Sequence, residues 1–150
     1  MLASARAIVC ALTTLLTINP ADAQTVAQTI ERWGLAGTWS LDCSQPASRQ
    51  NYYLSYVATA DGRAASHDRD FGDGKDSHAI QRATILPDGM IELTVHFKSF
   101  GETRKWRLVK SPDRRIKTMV NSNVDGGDFT IKEGKFVPSG AEVRWQTRCR

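Results

Sequence analysis

Histidine, cysteine and proline are scarce in this chain: three histidines, three cysteines and five prolines in 150 residues. His67, His78 and His96 form no H-E-x-x-H, and no cysteines stand as C-x-x-C, so the common zinc motifs are excluded. The sequence has no G-x-S-x-G and no glycine-rich phosphate loop, which removes the nucleophile-elbow hydrolases and the usual nucleotide binders. Asn121 to Lys132 imitates the opening of an EF-hand. Lys132, however, stands where the loop needs a bidentate glutamate, so calcium is excluded there. Nothing reaches the roughly 20 apolar residues that a membrane-crossing helix needs. The expectation is a protein with no catalytic set, no metal and no cofactor, which does not span a membrane.

What is present begins with a leader. Arg6 supplies a positive start, Ala7 to Ile18 an apolar run, Asn19-Pro20 a break, and Ala21-Asp22-Ala23 an A-x-A cleavage site. Residues 1–23 therefore read as a secretory signal, and 24–150 as one exported domain, periplasmic or secreted. Cleavage removes Cys10 and leaves Cys43 and Cys149. In an oxidising compartment these two are expected to pair, fastening the first strand to the last.

Charge is unevenly distributed along the mature chain. Residues 24–97 carry six Lys/Arg against nine Asp/Glu, whereas residues 98–150 carry thirteen against six. A basic half suits an acidic partner, but these cations are spread over several segments, as on a solvated outer face. An exported protein has no nucleic acid to meet, so none is expected as a partner.

Val26, Ile30 and Trp33 recur at helical spacing before Gly34, which predicts a short helix over 24–34. Beyond it the pattern becomes alternating runs separated by Asp61-Gly62, Pro87-Asp88-Gly89, Ser111-Pro112-Asp113, Asp125-Gly126-Gly127, Glu133-Gly134 and Pro138-Ser139-Gly140. Ile91, Leu93, Val95 and Phe97 form one face of the clearest strand, with His96 on the opposite, wet face. Tyr52, Leu54 and Tyr56, then Trp106 and Leu108, Phe129 and Ile131, and Val143 and Trp145 repeat the alternation. About eight to ten strands, nearly all joined by tight turns, make an all-β antiparallel up-and-down meander. Closure into a barrel removes its exposed edges, and a β-sandwich is the competing arrangement.

Gly37-Thr38-Trp39, following the predicted helix and opening the first strand, resembles the G-x-W signature of lipocalins and the wider calycin group. The rest of the chain is similar to small secreted proteins of Gram-negative bacteria. The calycin resemblance implies a barrel in which Trp39 plugs one end and an arginine of the last strand, Arg144 or Arg148, packs over its ring.

The stretch from His67 to His78 is the densest in polar residues. Asp68 and Asp70 share a strand face, roughly 7 Å apart. The composition reads as a solvated hairpin tip with exposed histidines. The aromatics carry the stronger binding argument: all twelve Phe, Tyr and Trp residues lie in the mature chain. Tyr52, Tyr56, Phe97, Trp106 and Trp145 are expected to line a barrel interior that holds a small hydrophobic or amphipathic molecule. The alternative is a filled barrel acting through its surface as an inhibitor or interaction protein of the periplasm, with the Asp68 to Asp76 loop as the inserting element.

Overall fold

The computed structural model describes residues 24–149; residues 1–23, the expected signal with Cys10, and Arg150 lie outside the described residues. Helix α1 (Val26–Trp33) begins at Thr25, whose side chain accepts from the Gln28 backbone N–H while the Gln28 side chain accepts from the Thr25 N–H. This reciprocal cap satisfies two donors that a helix start leaves free. The helix stops at Gly34, which takes φ +83° and so caps the last turn at little steric cost. Ala27, Ile30 and Trp33 bury one face, and the Trp33 indole N–H donates to the Gly89 carbonyl at 2.8 Å.

Ten antiparallel strands follow: β1 (Gly37–Ser40), β2 (Tyr53–Ala58), β3 (Ala65–Asp70), β4 (Lys75–Ile85), β5 (Ile91–Phe97), β6 (Glu102–Lys110), β7 (Ile116–Asn123), β8 (Phe129–Lys132), β9 (Lys135–Phe136) and β10 (Thr147–Arg148). Their spatial order is β10, β1, then β2 to β9 in sequence, which is the predicted meander. The sheet is curled, with its apolar side chains on the inner face. β5 shows why: Ile91, Leu93, Val95 and Phe97 are buried, and the residues between them are only partly so. His96 lies on the other face, bonded to Thr103 at 3.0 Å.

One connection is not a tight turn, and one expected strand is absent. The connection from β1 to β2 is a long loop over 41–52, held by Asn51, whose side chain bonds Ser40, Asp42, Gln45 and Pro46. The alternating run Val143 to Gln146 is not a strand. It crosses the sheet end through single bridges, Lys135 with Glu142 and Ile116 with Gln146, before β10 pairs with β1. The Cys43–Cys149 disulfide is present and, with Cα atoms 5.3 Å apart, ties the ends of β1 and β10.

Trp39 is buried and donates to the Leu35 carbonyl at 2.7 Å. Opposite it in register, Arg148 holds its guanidinium 6.0 Å from the indole centroid. Arg144 goes elsewhere, donating to the Gln50 carbonyl at 2.8 Å.

Candidate functional site

The register of the first strands stacks three polar aromatics in one row. Tyr56 on β2 faces His67 on β3, and His67 faces His78 on β4. All three point inward and are buried. Apolar neighbours in the same phase explain their direction: Ala65 precedes His67 by two residues and Ile80 follows His78 by two, so all four share the inner face. The His67 ring lies 5.1 Å from both Tyr56 and Trp106, and the His78 ring 4.4 Å from Phe97. The reading of these histidines as exposed is thereby corrected. Only Gly72, Asp73 and Gly74 at the turn of the hairpin form a solvated tip, because the strand alternation carries His67, Arg69, Asp76 and His78 inside.

Above this row the inner face becomes ionic. Arg69 donates two hydrogen bonds to Asp76, one of them at 2.7 Å, and lies 3.2 Å from the His78 Nε2. Its guanidinium sits over the rings of Phe97 and Phe71, at 5.0 and 5.4 Å. Across the opening, Arg104 donates to Asn121 at 2.6 Å and meets Glu102 and Asp128 at 3.2 Å. Asp68 and Asp70 face outward, taken up by Ser77 and by Lys75 with the Gly72 N–H. Their partners are structural, which leaves no free carboxylate pair on this strand.

Arg69 and Trp106 border a cavity of about 200 Å³. Tyr52, Leu54, Phe71, Trp106, Ile131, Phe136 and Val143 supply its apolar wall, and Arg69, Thr118, Asn121 and Thr130 its polar points. A second recess of about 280 Å³ shares Arg69, Trp106, Asn121 and Thr130 with it and adds Phe97, Phe100, Glu102 and Arg104. Trp106 is fixed by donating to the Thr118 hydroxyl at 2.9 Å. Of the five residues expected to meet a ligand, Tyr52 and Trp106 line the first space and Phe97 the second. Tyr56 is buried beside His67 and lines neither space. Trp145 is elsewhere, its ring flanked by Arg115 and Lys117 at 5.8 and 5.9 Å.

Burial governs the protonation of this interior. It holds His67 down to a pKa of about 3, with the Arg69 and His78 charges acting in the same direction, so the ring is neutral. Burial also pushes the phenols of Tyr52 and Tyr56 upward. The hydrogen bonds from Arg69 hold Asp76 below the usual carboxylate range. Tyr56 Oη, both ring nitrogens of His67 and the Nδ1 of His78 have no hydrogen-bond partner among the described residues.

Arg104 belongs to the site without having been singled out from the sequence, and Arg69, Asp76 and Asn121 were noted there only within a polar stretch and an EF-hand look-alike. Phase identifies them: Arg69 continues the Ala65 and His67 series, and Arg104 precedes the inward Trp106 and Leu108. Comparison with family models, with curated proteins and with solved structures finds no match for the chain.

Proposed function

We propose that this is an exported, non-enzymatic binding module whose curled sheet acts as a calycin-like barrel for a small hydrophobic or amphipathic molecule. The observation that carries the reading is the cavity walled by Tyr52, Phe71 and Trp106 and bordered by Arg69, Asn121 and Thr130. A mostly apolar wall with a few convergent polar groups is the usual make-up of a small-molecule site. The bridge from Ile116 to Gln146 and the pairing of β10 with β1 support closure of the sheet, and Trp39 under Arg148 supports the calycin reading.

Trp106 reports on the cavity directly. Titration with single-chain amphipaths of graded tail length should change its fluorescence in a saturable, one-site manner, and Trp106→Phe should remove that signal. Silence across the series, with a bare protein in native mass spectra, overturns the reading. That outcome favours action through the surface, for which the exposed Phe100 and Val137 supply apolar contact area.

A further inference from the structure

At the end of β6 away from the cavity, segments distant in sequence bring five cations to one groove. Arg32 comes from α1, Lys110 from the end of β6, Arg114 and Arg115 from the β6–β7 turn, and Arg148 from β10. The space between them measures about 660 Å³, and Asp113 is the one carboxylate on its wall. Folding thus gathers five of the spread cations around one groove. Some of this charge has an internal use. Asp113 pairs with Arg115 at 2.7 Å, and Lys110 donates to the Trp33 carbonyl at the C-terminus of α1, where a cation is favoured. Arg32, Arg114 and Arg148 are exposed and have no carboxylate partner among the described residues.

The turn that presents Arg114 carries the second observation. Leu86-Pro87-Asp88-Gly89 and Ser111-Pro112-Asp113-Arg114 are the same turn, each closed by a bond at 2.9 Å from the fourth N–H to the first carbonyl. In the first turn the left-handed position is Gly89 at φ +84°. In the second it is Arg114 at φ +62°, where a residue with a Cβ is strained. The chain places arginine at a glycine position in the one of these two turns that borders the groove. Among the described residues only Arg114 and Glu133, at φ +53° and outside the groove, are non-glycine residues at positive φ, and such outliers cluster at ligand-binding sites.

We propose that this groove is an anion site for phosphate-bearing ligands, separate from the cavity. Guanidinium groups present planar pairs of N–H donors that match phosphate oxygens, and three of them without a carboxylate partner converge here, Arg148 with one face against Trp39. The same chemistry serves a lipid headgroup or a free oligophosphate.

Calorimetric titration with inorganic tripolyphosphate tests the soluble source, and co-sedimentation with phosphatidylcholine vesicles, with and without phosphatidylglycerol, tests the headgroup. Saturable binding to either probe that weakens steeply with salt is expected. Arg114→Gly should weaken it about fivefold, the scale of one exposed charge pair, while the midpoint of thermal unfolding stays level or rises. Arg32→Gln should act in the same direction, and Lys98→Gln, outside the groove, should leave binding unchanged. No binding to either probe at low salt overturns the proposal. So does an equal loss in Lys98→Gln, because the attraction then belongs to the overall positive charge of the chain.

Discussion

His67 is the residue whose environment departs furthest from what water offers an imidazole. Its ring is enclosed by Tyr56, Phe97 and Trp106, and neither nitrogen has a partner among the described residues. A buried polar group left unpaired costs about 1 to 3 kcal/mol, so packing elsewhere offsets this position. The unfolded chain protonates near pH 6.5, whereas the folded ring resists protonation until about pH 3. Between those limits the unfolded state binds more protons, and stability must fall as the pH falls. Each pH unit below 6.5 removes about 1.4 kcal/mol, hence about 2 kcal/mol by pH 5. Urea unfolding between pH 6.5 and pH 5 should show that loss, and His67→Leu should flatten it. Equal slopes in the two proteins would assign the acid sensitivity to another group. The lowered carboxylates Asp70, Asp76 and Asp113 do not mimic it, since their stabilisation is lost only as the pH approaches the carboxylate range.

Among the elements, α1 is a helix of only two turns. Eight residues are too few for an isolated helix to persist in water, so its ends matter. Thr25 caps it and also donates to the Gly62 carbonyl at 3.0 Å, joining the helix start to the β2–β3 turn. Thr25→Ala should cost about 1 kcal/mol by loss of the cap, measurable as a lower midpoint in urea. An unchanged midpoint would mean that the buried Ile30 and Trp33 alone hold the helix. These elements also show what the sequence made legible. Val26, Ile30 and Trp33 before Gly34 announced the helix, and the turn residues announced the hairpins, because both signals are local. Val143 to Gln146 alternates like a strand yet is not one, since a ladder needs a partner and this run meets the sheet only through single bridges. The polar stretch from His67 to His78 misled for a related reason. Composition reads it as a solvated loop, whereas the phase set by Ala65 and Ile80 carries alternate residues inside. The cavity shares this logic: Tyr52 and Trp106 were visible as aromatics in phase, but their ionic neighbours Arg69 and Arg104 were hidden by their charge.

At the scale of the whole molecule, the chain end is held by short contacts. β10 is two residues long, and its neighbour β1 is four. Cys149 donates its N–H to the Thr38 carbonyl at 2.8 Å, and the disulfide closes a sequence separation of 106 residues. In the loop-entropy treatment a cross-link of that span contributes about 4 to 5 kcal/mol by restricting the unfolded chain. The Cys43→Ser, Cys149→Ser double variant should therefore unfold at much lower urea. Its native state should also change unevenly. Arg148 stands one residue from Cys149 and borders the cationic groove, whereas Trp106 is clamped to Thr118 within the wide pairing of β6 with β7. A frayed β10 should then weaken tripolyphosphate binding, while the fluorescence of Trp106 and its response to an amphipath stay close to those of the disulfide form. If both responses collapse together under conditions where the variant remains folded, the terminal pairing supports the entire curled sheet rather than one end of it. If neither changes, the strand contacts of Thr147 and Arg148 hold the chain end without the covalent bond.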